Sequence, residues 1–410
     1  MSATRHPLPH QAWFPEARFG LFLHWGLYAL LGRGEWAINR ERIPFADYEP
    51  LKDQFTAEAY DPADWARTAR AAGMKYVILT TKHHDGFCLW DSKLCPFNAV
   101  NSAAGRDLLA AFVEAVRAEG LKVGLYYSLG DFRNEDWRLG YEGDAEARTR
   151  FMGWTHGMVR ELMTGYGKID ILWYDLPQNY SAEEWRSAEL NAMARELQPG
   201  ILINNRAMTP EDFGTPEQHV TAGPEGRLWE ACMTLNSTWG YSYSDNNYKS
   251  PQVVALNLLK VAQGNGNLLL NVGPDPVGRL PAPAVGILQQ VGRWLAVNGE
   301  ALDNLDPNPL SWNLWGPTAV RGHTLYCFLS QYFGGTLTIG GLIPQVKEAR
   351  LLGYPGPLRV ERRETQTRIH GLPPAAHNAL PVLRLDLDGP PEQDFPKVIG
   401  GADIFPDFPN

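Results

Sequence analysis

Between residues 18 and 300 the chain alternates short, almost wholly apolar runs with longer amphipathic stretches. The apolar runs are Arg18–Gly26, Lys75–Thr81, Lys122–Ser128, Ile169–Asp175, Gly200–Asn204 and Asn267–Val272. They are nearly continuous in apolar character and rich in β-branched residues, as strands buried on both faces of a parallel sheet are. Helical periodicity fills the intervals at Pro62–Ala72, Leu108–Glu119, Ala145–Thr164, Ala182–Glu196, Pro251–Gln263 and Ala284–Asn298. Strand and helix in turn predict βαβ units. A doubly wound sheet would want a glycine-rich first turn, but the first strand ends in His24-Trp25-Gly26 with no G-x-G-x-x-G after it. A (β/α)8 TIM-like barrel fits the length and strand count better. Only six strands are legible. The barrel is therefore expected to be irregular, or to hold weak strands between Asp212 and Trp239.

Beyond about Leu310 the pattern shortens. Thr324–Phe328, Thr336–Gly340, Ala349–Leu352, Leu358–Arg362 and Val382–Leu387 are brief alternating segments set apart by Gly and Pro. They predict a small C-terminal antiparallel β-sandwich. The stretch Leu305–Pro309 reads as a linker, so the expected domains are residues 1–305 and 306–410. No internal repeat or low-complexity tract interrupts either part.

Composition adds a few exclusions. A hydrophobic share of 44% with 20% charged residues is that of a folded, water-soluble chain. A net charge of -9 argues against nucleic acid as a partner. No run of 18 apolar residues occurs, so no membrane span is expected. The four cysteines, Cys88, Cys95, Cys232 and Cys327, form no Cys-x-x-Cys pair, which speaks against a zinc or redox motif. Scattered cysteines suggest reduced thiols, and the start MSATRHPLPHQAWF has no apolar core of a signal peptide. Both point to the cytoplasm. The 14 Trp supply indole faces for stacking on an apolar ligand surface or for the core.

Chemistry in a barrel sits at the C-terminal ends of its strands. Those ends read His24-Trp25, Lys82-His83-His84-Asp85-Gly86, Tyr126-Tyr127-Ser128, Trp173-Tyr174-Asp175 and Asn204-Asn205-Arg206. Hydrogen-bonding groups beside aromatic rings suit a polyol with an apolar face, which describes a sugar. Adjacent His83 and His84 point to opposite faces of a strand and have no third soft ligand nearby, so neither a metal nor a cofactor is expected. The Gly264-Asn265-Gly266 turn reads as a helix C-cap rather than a phosphate loop.

Asp175 is a carboxylate at the end of a strand as apolar as Ile-Leu-Trp-Tyr, and buried acids are costly unless paired or used. Retaining glycoside hydrolysis uses two carboxylates about 5–5.5 Å apart. Two glutamates could be the second. Glu217 lies in the turn-rich loop Asp212-Phe213-Gly214-Thr215-Pro216-Glu217-Gln218, which suits a group that must change protonation state. Glu230 lies in the strand-like Leu228-Trp229-Glu230-Ala231-Cys232, which suits a rigid structural or binding acid. Trp239-Gly240-Tyr241 adds aromatic surface.

In combination, FGLFLHWGLYA, the Gly34-Glu35-Trp36 triplet, KYVILTTKHHDGFCLWDS, GLYYSL, ILWYD, NNR, DFGTPEQ, WEACMTLNSTWGY and NGNLLLNVGP resemble the α-L-fucosidases of glycoside hydrolase family 29. The resemblance runs through nearly the whole chain. It implies the barrel and β-sandwich above, and a double displacement releasing L-fucose from fucosylated oligosaccharides or glycoconjugates. It also implies Asp175 as nucleophile and Glu217 as acid/base, with Glu230 the alternative. His24, Glu35, His83, His84, Tyr127, Trp173 and Arg206 match residues that hold the sugar or wall its pocket. Trp36, Glu230 and Trp239 complete the expected binding set. Asp175 is followed by Leu176-Pro177 where the family pattern has glycine, so the loop beyond it presents a different wall. A glycosidase for a galactose-configured sugar, and a carbohydrate-binding protein without catalysis, are the competing readings. The sequence leaves oligomeric state open.

Overall fold

The structure, a computed structural model, describes residues 9–177, 180–223, 226–310, 313–332, 334–374 and 380–394. Most of the stretch read for a leader peptide lies outside these residues. The chain divides into two compact units: Met1–Lys249 with Gly264–Gln290, and Ser250–Gln263 with Val291–Asn410. The division thus falls earlier than residue 305 and assigns the helix Pro251–Gln263 to the second unit.

The first unit holds eight parallel strands. They are β1 (Phe19–Leu23), β2 (Tyr76–Lys82), β3 (Lys122–Ser128), β4 (Ile171–Asp175), β5 (Leu202–Ile203), β6 (Phe213–Gly214), β7 (Leu228–Thr234) and β8 (Asn267–Val272). Their order is β5-β4-β3-β2-β1-β8-β7-β6. A parallel bridge from Asn204 to Phe213 joins the two ends and closes the barrel. The expected irregularity is real, and it is local. Strands β5 and β6 are two residues each, while β7 is a full seven-residue strand inside the stretch where only weak strands were legible.

Three of the long crossover helices start where an aspartate caps them. Asp61, Asp107 and Asp144 accept backbone N–H bonds at the starts of Pro62–Ala71, Leu108–Ala118 and Ala145–Gly165. Such a cap stabilises a helix by about 1 kcal/mol. The fourth expected helix begins later than its periodicity suggests, at Ser187, because the backbone turns left-handed at Arg186.

Alternation along the strands fills the barrel. Phe22, Tyr76, Ile78, Tyr126, Ile171, Trp173, Leu202, Phe213, Cys232 and Leu269 form one buried cluster inside it. Gly20 makes room there, since a Cβ at that position would stand 2.3 Å from the Tyr76 ring. The Tyr76 phenol can therefore cross the interior to Glu230.

In the second unit, strands β9 (Thr318–Arg321), β10 (Thr324–Phe328), β11 (Gly335–Gly340), β12 (Val346–Leu351), β13 (Arg359–Arg363), β14 (Gln366–Leu372) and β15 (Val382–Leu387) form two antiparallel sheets. Their orders are β12-β15-β10-β9 and β11-β14-β13. Leu325, Cys327, Leu383 and Leu385 of the first sheet share one core with Leu337, Ile339 and Ile369 of the second, which makes the unit a β-sandwich.

Candidate active site

The C-terminal ends of the barrel strands converge on Asp175. Its Oδ2 accepts a hydrogen bond from the Tyr126 hydroxyl at 2.8 Å. Its Oδ1 accepts from Arg206 Nη1, also at 2.8 Å. His84 Nε2 stands 3.8 Å from Oδ2. Burial pushes the Asp175 carboxyl up, but the Arg206 charge, His84 and these hydrogen bonds together hold it below its ordinary range. Asp175 is thus ionised at neutral pH.

Arg206 is delivered by the turn after β5, and its other arm reaches Glu217. Nη2 donates to Glu217 Oε2 at 2.7 Å, and Nε donates to the Thr215 hydroxyl at 3.0 Å. One guanidinium therefore bridges two carboxylates. Two carboxylates held by one cation match the number of acids that retaining glycoside hydrolysis uses. The Trp173 indole forms a floor beneath it, with the guanidinium carbon 4.6 Å from the ring centroid. Glu217 sits on a loop strung beside β7 by a bridge to Cys232, and its side chain is 41% exposed against 17% for Asp175.

Three imidazoles line the remaining wall. His83 and His84 lie 3.8 Å apart between centroids, and His24 lies 5.5 Å from His83. His24 Nδ1 is 2.7 Å from Asn271 Oδ1, and His84 Nδ1 is 2.7 Å from Ser128 Oγ. Burial lowers His24 to about 3 and His84 to about 4, each partly opposed by Asp175. Burial takes His83 down as well, reinforced by His84 and His24. All three are neutral at working pH and can exchange hydrogen bonds with hydroxyl groups without adding charge. Among the described residues, no group of three His, Cys, Asp or Glu side chains is arranged to hold a metal ion.

Trp36 tilts against His84 at 4.9 Å, and Trp239 against His24 at 5.0 Å. Glu35 Oε2 accepts the Gly240 N–H at 2.7 Å, which ties the loop after β1 to the loop after β7. Burial raises the Glu35 carboxyl, against the pull of backbone N–H groups and with a further push from Glu217. The site is thus a cup of aromatic rings, neutral imidazoles and three acids around one arginine.

The model of the family described as alpha-L-fucosidase matches residues 2–300. The chain belongs to the alpha-L-fucosidase family. It is 31% identical over 404 residues to the plasma alpha-L-fucosidase of Rattus norvegicus, covering 87% of this chain and 85% of that one. The solved structure of alpha-L-fucosidase isoenzyme 1 from Paenibacillus thiaminolyticus is similar at a TM-score of 0.83 and 39% identity, over 93% of this chain and 99% of the other. A family 29 alpha-L-fucosidase from Bacteroides thetaiotaomicron, a covalent intermediate trapped with 2-fluoro-fucosyl fluoride in a glutamate-to-glutamine mutant, is similar at 0.81 and 27% identity, over 95% and 98%.

Within this family frame, the structure brings together His24, Glu35, Trp36, His83, His84, Trp173, Asp175, Arg206, Glu217 and Trp239. Two expected binding residues fall elsewhere. Tyr127 points away from the barrel interior, under the Lys82 ammonium at 4.8 Å, and has no exposed surface. Its neighbour Tyr126 takes the place in the site, because successive strand residues face opposite ways. Tyr126→Phe should lower kcat on the order of tenfold to a hundredfold, the worth of a hydrogen bond to a charged group. Tyr127→Phe should leave it near wild type. Equal losses in steady-state assays would refute the distinction.

Glu230 is the second correction. It lies on the lower half of β7, level with Asn267, and no part of it is exposed. It accepts hydrogen bonds from the Tyr76 hydroxyl and, at 3.1 Å, from Trp173 Nε1. It lies beneath the indole floor and cannot touch a ligand above it. Burial raises its carboxyl to about 7, against Tyr76, Trp173 and Arg206. A folded-state value above the unfolded one means the associated stability is whole below the unfolded value and is lost as pH rises through about 7. A shift of this size corresponds to about 3 kcal/mol. Melting temperature should therefore fall between pH 5 and pH 8 more in wild type than in Glu230→Gln. Parallel curves would contradict this.

Tyr126 stands at its strand end in the sequence without an expected site role, and Asn271 is not among the expected site residues. Asn271 left a trace in the sequence, as a polar residue near the end of the apolar run NLLLNV.

Proposed function

We propose that the chain is a retaining, exo-acting alpha-L-fucosidase that removes terminal L-fucose from fucosylated oligosaccharides or glycoconjugates. The observation that carries this reading is the Arg206 bridge between Asp175 and Glu217. Asp175, held ionised, attacks the anomeric carbon while the bond to the aglycone oxygen breaks. Glu217 gives its proton to that oxygen. In the second half Glu217 takes a proton from water, the water oxygen attacks the anomeric carbon, and Asp175 leaves with its electron pair. Protonated Glu217 has no use for its ion pair, so it turns from Arg206 toward the aglycone, where its exposed side chain meets solvent. His24, His83, His84 and Glu35 hold the ring hydroxyls, and the indoles of Trp36 and Trp239 cover apolar sugar surface.

The partner is a fucosylated glycan, with no nucleic acid or membrane among the expected partners. A net charge of -9 disfavours nucleic acid. Among the described residues no helix is long and apolar enough to cross a membrane. Four buried, unpaired cysteines support a reducing, cytoplasmic setting.

Labelling with 2-fluoro-fucosyl fluoride tests the reading. Mass spectrometry of the digest should place the fluorofucosyl group on the peptide holding Asp175. Label on Glu217 or Glu230, in an enzyme that hydrolyses aryl α-L-fucosides, would overturn the assignment.

A further inference from the structure

Glu230 is a buried acid for which the double displacement has no use, yet it stands directly under the group that organises both catalytic carboxylates. The links can be followed atom by atom. The Tyr76 hydroxyl donates to Glu230 Oε2, and Trp173 Nε1 donates to Glu230 Oε1 at 3.1 Å. The upper face of the same indole carries the Arg206 guanidinium at 4.6 Å. Arg206 then holds Asp175 at 2.8 Å and Glu217 at 2.7 Å.

We infer that Glu230 is a positioning residue, which fixes the plane of Trp173 from below and thereby sets where Arg206 presents Asp175 and Glu217. This rests on the assignment of Asp175 and Glu217 given above.

Three features of the barrel make Glu230 suited to such a role. It sits on a seven-residue strand that pairs with β8 from Glu230 to Thr234, so its backbone is held by that ladder. Both carboxylate oxygens are occupied, one by a donor from β2 and the other by a donor from β4, so it ties two strands across the interior. Gly20 leaves the opening through which Tyr76 reaches it. Phe22 and Tyr126 pack against the indole, and Glu230 accepts its N–H; without Glu230 that buried donor loses its acceptor, which is itself costly and leaves the ring's tilt to packing alone. A displacement of about 1 Å in a catalytic group can lower a rate about 10²-fold.

The test compares wild type, Glu230→Ala, Glu230→Gln and Trp173→Phe on two fucosides, one with an activated aryl leaving group and one with a poor one. Rates are referred to folded molecules counted by circular dichroism and by fluorofucosyl labelling. Glu230→Ala should lower kcat about 10²-fold on both substrates alike, with little change in KM. Glu230→Gln keeps an acceptor for the indole N–H and should restore kcat to within about threefold. Trp173→Phe, which keeps a ring but loses the N–H, should resemble Glu230→Ala, and combining the two should cost little more than either.

Wild-type kcat per folded molecule in Glu230→Ala would reduce Glu230 to a structural residue and overturn the inference. So would a Gln variant as impaired as Ala, with the loss concentrated on the poor leaving group, because that pattern belongs to proton transfer. If Glu230→Ala does not fold, Trp173→Phe with Glu230→Gln still decides: an unimpaired Trp173→Phe or an inactive Gln variant refutes the relay. An active wild type labelled elsewhere than Asp175 would instead overturn the underlying assignment of the nucleophile.

Discussion

Asp175→Ala should abolish turnover of an aryl α-L-fucoside, with kcat falling on the order of 10⁴- to 10⁶-fold, as when other enzymes lose their nucleophile. Alanine leaves space where the carboxylate stood. Azide is small enough to enter that space and attack the anomeric carbon from the same side. It should restore turnover and give a fucosyl azide of inverted configuration, because only one displacement then occurs. Nuclear magnetic resonance of the product reads the anomer directly. Residual activity within about tenfold of wild type would end the assignment, since no uncatalysed route is that fast. Asp175→Asn is a useful companion. It keeps the size and the acceptor for Tyr126 but loses the charge that Arg206 holds in place, and it should be as inactive as alanine.

Glu217→Ala should show a loss that depends on the leaving group. With a poor leaving group, kcat/KM should fall about 10²- to 10⁴-fold, the usual contribution of general acid catalysis. With an activated phenol, which departs without a proton, the first step should be nearly untouched. Breakdown of the intermediate then limits the rate, because water has lost its base. Added azide needs no base, and it should speed that step and give a product of retained configuration. Opposite azide anomers from the Asp175 and Glu217 variants separate the two roles in one experiment. A loss of equal size on every substrate would assign Glu217 to binding instead.

The sequence carried the fold further than the site. Strands such as Lys122–Ser128 and Asn267–Val272 are legible to the residue, because an apolar run closed by polar residues has few alternative structures. Strands β5 and β6 are too short for any periodicity to register. In the sandwich, β9 and β14 went unread; Gln366–Leu372 buries only alternate residues, and Arg368 and His370 mask the pattern.

At the site, the inventory of strand ends found Asp175, Arg206 and the histidines, because burying polar groups beside apolar strands is informative in itself. It could not choose between Tyr126 and Tyr127. Both are aromatic, both are buried, and only the register of β3 against β4 decides which faces Asp175. Nor could it separate Glu217 from Glu230 by depth. That difference arises because the Glu217 loop runs beside Cys232, two residues further along β7 than Glu230, which is a property of the assembled barrel.

The closure of the barrel between β5 and β6 has one further consequence. Two strands of two residues and a single bridge give that seam few shared backbone bonds. Backbone amides there should exchange with deuterated water sooner than those of β3, β4 and β8, since sparsely bonded segments open with less free energy. Arg206 and the Glu217 loop hang from this seam, whereas Asp175 ends a strand laddered along its length to β3. The nucleophile is therefore anchored in the most resistant cloth of the barrel, and its partner hangs from the hem. Insertions beside the partner can then reshape the rim that meets the rest of the glycan without shifting the atom that attacks the sugar.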